Sequence, residues 1–281
     1  MRFIGLLKRD FALGTRQSLP YLIGGFFIGL MLGVGSIAQA FAITGSIGGF
    51  TLGDLVAFAM DFPASISIQQ LIMGRAVSFS YSWVLPFACA FAAVLDYPRS
   101  DLEGMGRDAM VFGGSRLSWW CAKCAWTLCV LVLYWILVFA GICAIAFLSG
   151  SFFSLSVGVG CASSLRSSLA PYGFGMTAVP LLISVAPVTG ALALAQLAIS
   201  LFWNRIPGYV AVMAVLVGTS FFAHPLLPSF YLISGRSLGI YYGGAALNQG
   251  LAFSIAFAWA MVAVGGILIS RKTIFGGSDN G

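Results

Sequence analysis

The chain predicts an all-α membrane protein with six transmembrane helices, an amphipathic amino-terminal interfacial helix and a helical cytoplasmic loop. Three observations carry that prediction. Apolar residues make up 60% of the 281 positions and charged residues only 8%. The apolar residues gather into six stretches, at 21–41, 83–95, 126–148, 180–202, 209–223 and 251–270. The charges lie between those stretches, and about 20 apolar residues suffice for a helix to cross a bilayer.

Residues 1–19 read as the interfacial helix. Phe3, Leu7 and Phe11 recur at four-residue spacing, while Arg2, Lys8, Arg9 and Asp10 take other faces, a pattern suited to the headgroup layer. Ala38-Gln39-Ala40 resembles a cleavage site, but the leader before the apolar run is long and contains Asp10, so an uncleaved first span is the expectation. Gly25, Gly29 and Gly33 stack on one face of that span and predict close helix packing, within this chain or against another.

Charge sets the orientation. With both termini in the cytoplasm, the inner segments hold Arg2, Lys8, Arg9, Arg16, Arg99, Arg107, Arg116, Lys123, Arg205, Arg271 and Lys272, and the outer segments hold Arg75, Arg166 and Arg236. Basic residues favour the cytoplasmic side, so the net charge of +6 reflects topology and gives no reason to expect nucleic acid as a partner. Trp83, Tyr134, Trp203 and Tyr241–Tyr242 are candidate interfacial anchors. Asp54 and Asp61 fall in the first outer segment and read as solvated.

The cytoplasmic loop 96–123 carries Asp96, Arg99, Asp101, Glu103, Arg107, Asp108, Arg116 and Lys123. Leu102, Met105, Ala109 and Phe112 predict an amphipathic helix, with Glu103 and Arg107 spaced to pair. Gly113-Gly114 then breaks the helix, and Ser115 is placed to cap the next one. Topology alone asks only for basic residues. The four acidic ones therefore suggest a surface for another protein.

The six cysteines set no disulfide framework, since only Cys161 falls in an outer segment. Cys121 and Cys124 form a C-x-x-C without a second pair or a nearby histidine, so no metal site is expected. The single histidine, His224, lacks the partners that catalysis or metal binding requires, and the chain does not read as an enzyme. A secondary transporter would place ionisable residues near mid-membrane, and none of the six stretches does so. An immunity or assembly factor remains a further alternative; it would have no use for the charged loop. A single six-helix membrane domain is expected over 1–273, and 274–281 reads as a disordered tail.

The run Tyr97-Pro98-Arg99-Ser100-Asp101-Leu102-Glu103-Gly104, followed by Ser115-Arg116, Trp119 and Lys123, resembles the permease subunits of ABC type-2 exporters. Such permeases more often carry a proline shortly before the Ser-Arg pair, where this chain has Phe112-Gly113-Gly114. The resemblance implies a bacterial cytoplasmic-membrane protein that moves a peptide or hydrophobic substrate. It implies a coupling loop at 96–123, with Asp101, Glu103, Arg107, Arg116 and Lys123 in ATPase coupling, and re-entrant outer helices between the fifth and sixth spans. No phosphate-cradling G-x-x-x-x-G-K-[ST] occurs here. The implied partners are a dimer of ABC ATPase subunits, which bind ATP and Mg, and a second permease, identical or different; this chain itself is expected to hold no cofactor.

Overall fold

Backbone polar groups in hydrocarbon must be satisfied within their own segment, so long uncharged apolar runs form helices. The structure, a computed structural model, describes residues 3–45, 49–61, 80–104, 106, 115–158, 177–222, 224–236 and 247–271. These residues form α1 (Phe3–Thr44), α2 (Leu52–Ala59), α3 (Tyr81–Ala93), α4 (Tyr97–Glu103), α5 (Arg116–Leu148), α6 (Val179–Phe202), α7 (Arg205–Ser220) and α8 (Leu247–Arg271). Among the described residues no strand forms.

Four helices, α1, α5, α6 and α8, are long and apolar enough to cross a membrane, which makes this a membrane protein. Six were expected, and four are found among the described residues. At 1.5 Å per residue, α3 (13 residues) is about 20 Å long and α7 (16 residues) about 24 Å, short of a hydrocarbon core of about 30 Å.

The expected interfacial helix and first span are one continuous helix, α1, with Pro20 inside it. Its buried stripe is Leu6, Asp10, Gly14, Ser18, Leu22, Gly25, Gly29, Leu32, Gly33, Ser36 and Ala40. Those steps of three and four residues keep one face on the bundle along the whole helix. Phe3 and Phe11 are exposed and lie off this stripe, on a face that the bundle does not cover.

α1 packs most extensively on α5, and the glycines set the approach. A Cβ on Gly25 would lie 2.6 Å from the Tyr134 ring, one on Gly33 2.8 Å from Ile145 Cβ, and one on Gly29 would overlap the Val138 carbonyl. Gly141 of α5 answers Gly29, because its own Cβ would strike the α1 backbone. α5 also meets α3, α6 and α8, and α6 packs against α7 and α8. Trp83, Phe87 and Trp135 form a row of tilted ring contacts, with centroids 4.7 and 5.2 Å apart.

Two sequence expectations for aromatic anchors fail here. Trp83 and Tyr134 are fully buried; the Trp83 indole donates to the Leu232 carbonyl and the Tyr134 hydroxyl to that of Pro86. Core packing claims them because the indole N–H and the hydroxyl both find backbone acceptors inside. Trp203 is exposed, and Tyr241–Tyr242 lie outside the described residues.

The end opposite the α1 amino terminus is pinned by loops. α5 stops in a Schellman turn: Gly150, at φ +69°, donates to Phe147 and Ser151 to Ala146. The following chain pairs with the start of α2, where Thr51 and Asp54 form a reciprocal capping box. Asp54 Oδ1 also accepts from the Gly158 backbone at 2.7 Å, so this carboxylate is buried and structural; the solvated reading is wrong. Asp61 accepts from the Ser234 hydroxyl. Between α7 and α8 the described chain makes two 310 turns, Pro228–Tyr231 and Ser234–Arg236, where the resemblance implied re-entrant helices. Residues 237–246 lie outside the described set.

Candidate functional site: a buried charge cluster at one end of the bundle

One end of the bundle gathers the start of α1, all of α4, the start of α5, the ends of α6 and α8 and the start of α7. Most of the charged residues there are spent on one another. Pro98 at the first turn of α4 suits a helix start, and Gly104 ends that helix after seven residues. This places Asp101 inward, within reach of α1 and α5.

The centre is Lys123, which is fully buried. Its Nζ donates to Asp10 Oδ1 at 2.7 Å and to Asp101 Oδ2 at 2.8 Å. Arg9 Nη2 reaches Asp101 Oδ2 at 2.8 Å. The Tyr97 hydroxyl donates to Asp10 Oδ1 and the Trp119 indole to Asp101 Oδ2, each at 2.8 Å. The ammonium also lies 4.1 Å from the Tyr97 ring centroid and 5.5 Å from that of Trp119. Two cations thus balance two carboxylates, the condition under which buried charge is tolerated. Burial and the Asp10 carboxylate hold the Tyr97 phenol well above its ordinary pKa, so it remains a donor. Gly14 leaves room for this arrangement: a Cβ there would lie 2.6 Å from the Tyr97 ring.

Around this centre the loop is tied to the remaining helices. Arg99 donates to the Ser200 and Trp203 carbonyls at the end of α6. Arg116 donates to the Ser270 carbonyl near the end of α8. Both arginines satisfy terminal carbonyls and oppose the negative end of a helix dipole. Asp96 pairs with Arg205 of α7 at 2.7 Å. Ser115 caps α5, as its sequence position suggested, by accepting from the Ser118 backbone.

The sequence-predicted coupling residues therefore part company. Asp101 and Lys123 sit together inside, and Arg116 anchors α8. Glu103 is exposed and pairs with Arg99 at 2.6 Å, one turn back. Arg107 lies outside the described residues, as do Met105, Ala109 and Phe112 of the expected amphipathic helix. The described helix of the loop is Tyr97–Glu103, earlier than that pattern implied. Arg9, Asp10 and Tyr97 were not expected at this site, and Trp119 entered only as part of the motif that carries the resemblance. The available signal was Asp10, the one acidic residue before Asp54, set in the Leu6-Asp10-Gly14-Ser18 stripe.

Arg99→Gln removes a charged donor from two carbonyls and is expected to cost about 1.5 kcal/mol, read as a lower thermal midpoint in detergent. Arg99→Lys, lacking the planar fork, should restore only part of it. No group of metal-ligating side chains occurs among the described residues. No family model matches the chain, and neither a characterised protein nor a solved structure is similar to it.

Proposed function

We propose that this chain is the permease subunit of an ATP-driven ABC type-2 exporter in a bacterial cytoplasmic membrane, with both termini inside and six helices crossing. In this reading α3 and α7 complete the six spans, their short helices reaching across with apolar flanks. A separate ATPase pair supplies the energy. The chain pairs with a second permease to enclose a path for a peptide or hydrophobic substrate.

One observation supports the reading most. Asp96, Arg99 and Asp101 of the loop connect by charged contacts to α7, α6, α1 and Lys123 of α5, and Arg116 at the start of α5 connects to α8. A loop so fastened has the mechanical property a coupling element needs: a push on it moves helices and does not dissipate in a slack tether. Asp101, Lys123 and Arg116 then transmit, and exposed Glu103 together with Arg107 meets the partner.

The test is co-purification of the tagged full chain with ATP-binding-cassette ATPases co-expressed from its native host. Glu103→Lys combined with Arg107→Glu should abolish association while the permease stays folded in the membrane. Unchanged association, or transport by the purified chain with no nucleotide-hydrolysing partner, would overturn the proposal.

A further inference from the structure

At the other end of the molecule α1, α2 and α3 leave a groove of about 400 Å³, within the size range of small-molecule sites. Its walls change character with depth. Ile28, Met31 and Leu32 of α1 and Leu85 of α3 line the inner part. Ser36 and Gln39, further along α1, and Ser82 at the start of α3 line the outer part. None of the described lining residues is charged.

The dimensions match one leaflet. Ile28 to Gln39 spans eleven residues of helix, about 16 Å, and half of a hydrocarbon core is about 15 Å. Arg16, exposed and charged, must stay near the inner headgroups, and Gln39 lies about 35 Å further along the same helix, at the outer headgroup level. The Gln39 side chain is exposed and forms no hydrogen bond among the described residues. Ser36, by contrast, donates to the Leu32 or Leu55 carbonyl and keeps only acceptor capacity.

We infer that this groove binds a single-chain amphiphile from the outer leaflet, its chain along Ile28–Leu32 and a neutral hydroxyl- or amide-bearing head against Gln39 and Ser82. Apolar walls hold the chain by contact, because no hydrophobic driving force separates it from surrounding lipid tails. Selectivity therefore comes from the head, and a polar contact in a membrane is worth roughly a three- to seventeen-fold preference. The inference requires that α1 crosses a bilayer with its amino terminus inside, as proposed above, and does not rest on an ATPase partner.

The test uses the full chain in phosphatidylcholine nanodiscs and a monoacylglycerol carrying a diazirine in its chain, with adducts mapped by peptide mass spectrometry. Adducts are expected to concentrate on residues 28–39 and 82–85. Gly35→Phe should fill the groove without disturbing the fold, since a Cβ at Gly35 meets nothing within 4 Å, and should remove those adducts. Gln39→Leu should weaken labelling by the glycerol probe and leave labelling by a diazirine fatty-acid methyl ester unchanged. Adducts spread evenly over the exposed Ile23, Phe27 and Phe41, or insensitive to Gly35→Phe, would overturn the site.

Discussion

Replacing Lys123 with methionine is expected to destabilise the protein by about 3–5 kcal/mol, the cost of stranding buried charge. The substitution keeps the apolar stem but leaves Asp10 and Asp101 facing each other with one cation, Arg9, between them. Neither carboxylate has water to turn to, because both side chains are almost fully enclosed. The measurement is the thermal midpoint of the purified chain in a mild detergent. A matched variant separates charge imbalance from lost packing. Replacing Arg9, Asp10, Asp101 and Lys123 together by methionine or leucine, with Tyr97→Phe, should recover most of the loss, since apolar substitution of a whole buried ion cluster is often neutral or better. A Lys123→Met protein as stable as the parent would show that the cluster contributes nothing to the fold.

Gly29→Leu is the second large effect, and it acts through shape. At Gly29 the α1 backbone rests directly on the backbone of α5 at Val138 and Gly141, with no side chain between. A side chain there has no flexible neighbour to displace, so α1 and α5 must separate or shift. Overpacking typically costs 1–3 kcal/mol when side chains can yield; backbone against backbone lies at or beyond about 3 kcal/mol. Gly141→Leu should behave the same way. Gly5→Leu on the same helix meets open space and serves as the control. Loss of folded, monodisperse protein for the first two and not the third is the expected pattern by size-exclusion chromatography.

Much of this was legible in the sequence wherever a residue's type dictates its surroundings. Long apolar runs predicted α1, α5, α6 and α8 because nothing else satisfies their backbone in lipid. Ser115 predicted a helix start, and the Gly25, Gly29 and Gly33 row predicted a close approach, though not that α5 of the same chain would be the neighbour. Other features depended on contacts between distant segments. Asp54 reads as solvated until the chain at 152–158 folds against it, and Tyr134 reads as an anchor until the Pro86 carbonyl is brought beside it. The loop's equal numbers of acids and bases suggested a waiting partner protein. In the structure Asp96 pairs with Arg205, Asp101 with Lys123 and Arg9, and Glu103 with Arg99, so the bundle itself accounts for three of the four acids. Periodicity cannot distinguish a charge meant for solvent from one meant for a helix 92 residues away.

The pairing of α1 with α5 has a mechanical consequence. The two helices are fastened at the Asp10–Lys123 ion pair and again where Gly29 meets Gly141, and these points lie about 28 Å apart along α1. A beam held at one point can swing, but a beam held at two is a truss. Any rearrangement of this molecule must therefore carry α1 and α5 as one rigid strut, with sliding confined to the seams they share with α3, α6 and α8.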